Sequence, residues 1–497
     1  MKITIRPPTT LSKADALVLA FFEKQKPQEH PYWIKLPTDV RKLVSTWVGR
    51  KDVTMEWPST HVLRLVRGRF TTIVVAGLGK RAEWNDRRDR LLDRKIVRLA
   101  HEHKWRSLTI MPLRLIPENA GRMAENFILA DYDYHALKKA PPAGWHDVRS
   151  VTIIGIANPD IRSAMHRGIV VGEATNMARA MANAPGSHLN PRIMAAEAQK
   201  IAKAEKLTCR VLNEAAMQKL GMGALLGVAK GSAELPRFIV LEYRRGPAKH
   251  KPLVLVGKGV TFDSGGLNLK PSTGMQEMHM DMAGGAAVLG ALRGISRLKL
   301  PLNVIGLIPA VENMPSGSGF RPGDVLKSMS GTTIEVGNTD AEGRVILADA
   351  LTYAQKHYEP VLVVDVATLT GAAVVALGQQ AMAMFSPDGK LLTQAQEIAE
   401  ASGDYGWPLP LWDEYAPMVK GTFGDVTNSG KERWGGAIEG AMFLYQFIKK
   451  TPWIHLDIAP TMSSIEGQHL APGATGAGTR WLIELARRWT DGRLKLT

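Results

Sequence analysis

The chain has 497 residues, 45% hydrophobic and 22% charged, with a formal net charge of +16. That length exceeds what one hydrophobic core usually supports, and the composition excludes a disordered or fibrous protein. Cys209 is the sole cysteine, which excludes an internal disulfide and points to a reducing, cytoplasmic compartment.

At the N-terminus, Met1-Lys-Ile-Thr-Ile-Arg-Pro-Pro carries no long apolar run of the signal-peptide kind. Ala16-Leu-Val-Leu-Ala-Phe-Phe22 is too short to span a bilayer, so it is expected as a buried strand, and no membrane partner is expected. Strand-like runs follow at 71–77 and 107–113, with a helical pattern over 86–103 between them, which together predict a small α/β domain. Pro141-Pro-Ala-Gly144 interrupts the pattern and Val151-Thr-Ile-Ile-Gly155 resumes it. A long helical stretch from 161 to 184 then stops at Asn183-Ala-Pro-Gly186. Beyond it, strands expected at 238–243, 253–256, 303–308 and 361–366 alternate with helices. This predicts a larger α/β domain whose mixed sheet is covered by helices on both faces.

The segment Asn338-Thr-Asp-Ala-Glu-Gly-Arg344 packs two carboxylates and a guanidinium into five residues, ahead of a helical run at 345–351. Asp340 and Glu342, two apart, converge on one face in extended or looped backbone. Two hard oxygen donors held so close repel unless a cation lies between them, and a divalent metal is the usual solution. Read alone, the segment equally fits a solvated acidic turn neutralised by Arg344. A second stretch, residues 253–270, starts as a buried strand and becomes irregular at its glycines, where Lys258, Asp263 and Lys270 fall. In open α/β sheets the carboxyl ends of strands are where ligands bind. Asp281 precedes the small-residue run Met282-Ala-Gly-Gly-Ala-Ala-Val288. Stabilising a helix dipole is its plain structural role, as solvation is for the two lysines.

Taken together, Val256-Gly-Lys-Gly-Val-Thr-Phe-Asp-Ser-Gly-Gly266, Lys270-Pro-Ser272, the 281–288 run and the 338–344 segment resemble the cytosol leucine aminopeptidase family. Its members are dinuclear metallopeptidases that remove the N-terminal residue of peptides. The resemblance continues through Asp365-Val-Ala-Thr-Leu-Thr-Gly-Ala372, Trp407-Pro-Leu-Pro-Leu-Trp-Asp-Glu414 and His455-Leu-Asp-Ile-Ala459. It is weaker in Val75-Ala-Gly-Leu-Gly-Lys80.

The resemblance implies that Lys258, Asp263, Asp281, Asp340 and Glu342 ligate two divalent ions, manganese or zinc. Lys270 and Arg344 would be the catalytic pair, with a bicarbonate ion resting on Arg344 as proton shuttle. It also implies a domain boundary near 160, giving domains 1–160 and 161–497, and a homohexamer that admits only short peptides. The implied chemistry is coherent. Paired cations about 3.5–4 Å apart lower the pKa of a shared water towards neutrality, and the resulting hydroxide attacks the scissile carbonyl. Lys258 must be neutral to ligate, and adjacent dications are expected to depress its pKa. Lys270 stays charged and stabilises the oxyanion. Arg344 never deprotonates, so it acts by holding an anion or, alternatively, by clamping Asp340 or Glu342; the residues alone leave both roles open.

Met278, Asn338, Thr368 and Met462 are candidates to line the pocket for the first substrate side chain, which favours an apolar leucine-like residue. His279 is a weaker metal candidate because it has no spaced partner, and no HExxH pattern occurs. Ser264-Gly-Gly lacks the spacing of a nucleophile elbow. Two positions depart from the family pattern: Glu439 where a threonine is expected, and Pro460 where a glycine is usual.

The charge is unevenly spread. Residues 1–150 hold 28 Lys+Arg against 16 Asp+Glu, so 28 − 16 = +12 of the excess lies there. Arg87, Arg90, Arg94 and Arg98 recur at helical spacing as a candidate basic stripe for DNA. Interleaved Asp86, Asp89 and Asp93 argue for an internally neutralised face instead, with Asp86 and Arg90 as an i,i+4 pair.

Overall fold

The computed structural model describes all residues except Lys51, Val66, Arg67, Lys431 and Thr497. The chain divides into two compact units, Met1–Glu173 with Ile465–Ala471, and Ala174–Ser464 with Pro472–Thr497.

In the first unit, the sheet runs in the order Lys2–Arg6, Ser150–Ile154, Ser107–Met111, Ala14–Phe21, Phe70–Gly77 and Thr60–Arg64. All neighbours are parallel except the last pair. Strict alternation splits its side chains between two cores. Ala16, Val18, Val74 and Ala76 face the helices Asp86–His103 and Pro117–Asp131, while Leu17, Leu19, Ile73 and Val75 face Thr38–Val48. The helix Asp86–His103 starts where Asn85 accepts from the backbone N–H groups of Arg87 and Arg88, a standard N-cap.

This helix corrects the basic-stripe expectation. Arg90 and Arg94 are only 3% and 6% exposed, and Arg98 donates to Asp133 at 3.1 Å. Arg94 Nε donates to Asn126 Oδ1 at 2.7 Å. The Asp86 carboxylate is taken by Arg122 of the neighbouring helix, while Arg90 Nη1 donates to the Asp86 backbone carbonyl at 3.4 Å. Of the four arginines at helical spacing, Arg87 is exposed, Arg90 and Arg94 turn inward, and Arg98 is partly exposed and paired with Asp133.

His30, 2% exposed and tilted against Phe21, has its pKa pushed down to about 4 by burial. The folded state therefore prefers the neutral ring. Its contribution is intact above pH 6.5 and is lost as pH falls from 6.5 to 4, a cost on the order of 3 kcal/mol. His30→Gln is expected to flatten the fall of melting temperature over that window; parallel wild-type and variant profiles would refute the assignment.

The second unit is built on a mixed sheet ordered Gly406–Pro408, Met382–Phe385, Trp453–Asp457, Leu362–Ala367, Leu253–Gly257, Asn303–Asn313, Arg237–Arg244 and Thr208–Leu212. Its centre is parallel. Both faces are apolar: Val254 and Val256 join the core that includes helix Glu342–Tyr358, while the intervening Leu253 and Leu255 point to the opposite face. That explains the uninterrupted apolar run in the sequence.

The key irregularity follows Gly257. Leu253–Gly257 pairs with Val304–Leu307, and after Lys258 the chain resumes as Gly259–Asp263 beside the far end of the same strand, Ala310–Asn313. Lys258 occupies the step, with its N–H on Val366 O and its carbonyl accepting from Gly285 N. Gly285 and its neighbour Gly284 open the helix Ala283–Arg297. A Cβ on Gly284 would collide with the Val366 carbonyl and lie 3.0 Å from Lys258 N. The small-residue run is thus what lets helix, strand end and Lys258 meet.

Candidate metal centre

Four segments converge at the carboxyl ends of the central strands. Asp263 ends its strand in register with Asn313, whose Nδ2 donates to Asp263 Oδ1 at 2.8 Å and to Thr339 O at 3.0 Å. Gly265 N also donates to Asp263 Oδ1. Gly265 sits at φ +86°, and a Cβ there would lie 2.9 Å from Asp340 Oδ1. Glycine is required on both counts.

The loop carrying Asp340 is fixed from three sides. Asn338 Oδ1 accepts from Asp340 N at 2.8 Å, Thr339 Oγ1 donates to Gly265 O at 2.7 Å, and Asn428 Oδ1 accepts from Gly337 N at 2.7 Å. Glu342 then opens the helix Glu342–Tyr358, where the dipole favours a carboxylate.

Within this frame, Lys258 Nζ lies 2.8 Å from both Asp281 Oδ1 and Glu342 Oε1. Lys270 Nζ lies 2.8 Å from Asp263 Oδ2 and 2.5 Å from Asp340 Oδ1. Carboxylate oxygens of Asp263, Asp340 and Glu342 lie within 4.8 Å of one another. Lys258, Asp263, Asp281 and Glu342 are buried, whereas Lys270 and Asp340 are half-buried.

Four carboxylates against two ammonium groups leave a local charge of −4 + 2 = −2 if all are ionised. The acids register that excess. Burial and then the charge of Asp263 push Glu342 up to about 8, and burial takes Asp281 to about 6. Asp340 shifts upward for the same two reasons. Lys258 moves opposite to expectation: burial opposes its charge, but Asp281, Glu342 and Asp263 outweigh burial and raise its pKa. The expected depression presumed neighbouring dications; the side chains alone push the other way.

Among the described residues, Asp281 Oδ2 and Glu342 Oε2 are buried without a hydrogen bond, and Glu342 Oε1 and Asp340 Oδ1 have only their lysine charge contacts. Buried carboxylate oxygens left unpaired in a negative pocket fit hard divalent cations.

The other candidate residues divide. Thr368 is committed to the centre: its Oγ1 donates to Asp281 Oδ1 at 2.7 Å and its carbonyl accepts from Lys258 Nζ. Asn338 is likewise used by its own loop. These two brace the centre. Met278 and Met462 are half-buried on adjacent segments, since Ser463 Oγ contacts Glu277 Oε2. His279 bonds to the Gln276 carbonyl and is outside the acidic group. Pro460 falls in the first turn of the short helix Ala459–Thr461, a position that suits proline.

Arg344 is buried, and its Nη1 donates to Asn428 O and to Glu439 Oε1, both at 2.7 Å. Among the described residues its ion pair is with Glu439, so the clamp on Asp340 or Glu342 is not the arrangement found. Asn313, Asn428 and Thr339 were missed from sequence. Asn313 carried a signal, a polar residue closing an apolar strand at its carboxyl end. Asn428 carried none, because its partners lie far upstream.

Fold and centre together define a metal-binding hydrolase of the α/β class. The chain belongs to the cytosol aminopeptidase family: the family's catalytic domain matches residues 176–483 and its N-terminal domain matches 18–141. A probable cytosol aminopeptidase of Solibacter usitatus is 42% identical, covering 98% of this chain and 100% of that protein. One from Geobacter sulfurreducens is 38% identical, covering 94% and 96%. Among solved structures, the bottromycin maturation enzyme BotP in complex with Mn superposes with a TM-score of 0.83 at 33% identity, covering 96% of this chain and 100% of that one. The protein is therefore a metal-dependent aminopeptidase that acts on peptides. Among the described residues no helix is long and apolar enough to cross a membrane.

Proposed function

We propose that the enzyme releases apolar, leucine-like N-terminal residues from short peptides, with Lys258, Asp263, Asp281, Asp340 and Glu342 holding two divalent ions. The observation that carries this reading is the set of buried, unpaired carboxylate oxygens on Asp281 and Glu342 beside Asp263 and Asp340. When bound, the ions would activate a water and polarise the scissile carbonyl. Lys270, held charged between Asp263 and Asp340, donates in this reading to the developing oxyanion, a contribution of about 3–4 kcal/mol for one such donor. Lys258 shields Asp281 and Glu342 from each other and must give up its proton to join the ligand set. Met278 and Met462 supply the apolar surface for the first side chain. Manganese is the first ion to test, given the BotP complex, with zinc second. A cytoplasmic homohexamer completes the reading on the strength of the family resemblance. The bicarbonate expected on Arg344 meets a guanidinium whose Nη1 is already used by Glu439. With Arg90 and Arg94 buried, the DNA reading has lost the stripe that motivated it.

The test is hydrolysis of leucine-p-nitroanilide by protein stripped with chelator and reloaded with Mn²⁺ or Zn²⁺. Recovery at two ions per chain supports the reading; folded protein inactive with both ions overturns it. Asn313→Ala, which releases Asp263 and the Thr339 carbonyl, is expected to raise the metal concentration needed for half-maximal activity about 10–100-fold. An unchanged metal titration would show that Asp263 needs no such support.

A further inference from the structure

We propose that Glu439 is the resident anion of Arg344, so that this enzyme works without a dissolved oxyanion at that guanidinium. The inference deepens the peptidase reading and rests on it only for its activity measurements.

Arg344 lies two residues beyond Glu342 in the first turn of Glu342–Tyr358, and its side chain is 8% exposed. A guanidinium that buried needs an anion. Glu439, 7% exposed at its side chain, supplies one at 2.7 Å from the first turn of the helix Gly436–Tyr445. Both are held independently. Arg344 Nη1 also donates to the Asn428 carbonyl, and Asn428 in turn holds the Asp340 loop through Gly337 N, Asn338 N and the Asn338 carbonyl. Glu439 is confined on its other side, since a Cβ on Gly430 would lie 2.8 Å from Glu439 Oε2.

Nη1 has two protons, and both are used by Asn428 O and Glu439 Oε1. A bidentate oxyanion on the Nη1–Nη2 edge would have to displace the carboxylate. One on the Nε–Nη2 edge would set a second negative charge near Glu439 with a single guanidinium to balance both. A carboxylate and a bicarbonate present the same O–C–O group to a guanidinium. Removing the Glu439 carboxylate therefore vacates a place of the right shape and charge for a small oxyanion. Glu439 acts through Arg344 and is a positioning residue.

The experiment compares the full-length protein, Glu439→Ala, Glu439→Gln and the double variant Arg344→Ala/Glu439→Ala in carbon-dioxide-free buffer with bicarbonate added back. Binding of ¹³C-bicarbonate is followed by NMR line broadening, and leucine-p-nitroanilide hydrolysis is followed in Mn²⁺-loaded samples. Wild type is expected to bind no bicarbonate and to keep its rate when bicarbonate is removed. Glu439→Ala is expected to bind it, to lose about 10–100-fold in kcat without it, and to recover saturably with bicarbonate or formate. Glu439→Gln fills the space without charge and should not be rescued, and the double variant should neither bind nor recover. A purely structural role for Glu439 would give a loss that no anion restores, and that outcome overturns the proposal. So does Arg344-dependent bicarbonate binding by wild type, or a wild-type rate that falls on its removal. If Glu439→Ala fails to fold, the wild-type arms still decide. If no preparation hydrolyses the substrate, the peptidase reading fails and the NMR arms judge Glu439 alone.

Discussion

Glu342→Ala is expected to lower leucine-p-nitroanilide hydrolysis by at least about 10³-fold, with no recovery at any Mn²⁺ or Zn²⁺ concentration, since losing a first ligand exceeds the 10–100-fold typical of outer supports. Glu342 is 1% exposed, contacts Lys258 Nζ at 2.8 Å, shares the acidic group with Asp263 and Asp340, and has an oxygen with no other partner. On the proposed reading, removing it takes one of five ligands from the pair of ions. Metal content by mass spectrometry should fall with the rate. The fold should survive, because four carboxylates face two lysines and deleting one relieves like-charge repulsion. In chelator, the variant is expected to melt no lower than wild type. A variant that melts well below wild type would mean lost structure, and one that keeps its metal and rate would remove Glu342 from the ligand set.

Gly284→Ala is expected to destabilise the second unit strongly. The new Cβ meets backbone of two other segments: the Val366 carbonyl group, with Val366 C at 2.9 Å, and Lys258 N at 3.0 Å. None of these can rotate away, so the helix Ala283–Arg297 must lift from the sheet, at a cost at or above the roughly 1–3 kcal/mol of ordinary overpacking. The shift would also carry Gly285 N off the Lys258 carbonyl and loosen the lysine. Gly274→Ala is the matched control, with nothing within 4 Å of its added Cβ. Melting curves of the two variants against wild type decide the matter. Equal curves would show that the helix tolerates the shift.

What the sequence revealed followed the range of the interactions concerned. The helix expected over 86–103 is found as Asp86–His103, because cap, periodicity and stop are all local. The strand expected over 303–308 runs on to Asn313. Pro309 falls at the gap between two partner strands, where a missing N–H costs no pairing on that side. The glycines and acids of 256–266 and 338–344 pointed to the centre because each supplies its own backbone geometry. By contrast, Arg344 finds Glu439 and Asn428 across long stretches of chain, and no local pattern links them. The inward turn of Arg94 was equally hidden, since it depends on Asn126 of another helix.

The step after Gly257 also bears on assembly. Lys258 is shared by three elements: the strand it leaves, the strand Leu362–Ala367 that receives its N–H, and the helix whose Gly285 reads its carbonyl. Asp263 and Asp340 depend in the same way on Asn313 and on the loop across from it. The centre thus needs several separate segments of the sheet to be in place together. A cation that binds there binds only the finished second unit, so its binding free energy adds to the unfolding free energy of that whole unit rather than to any local hinge, and the loaded second unit should resist proteolysis throughout.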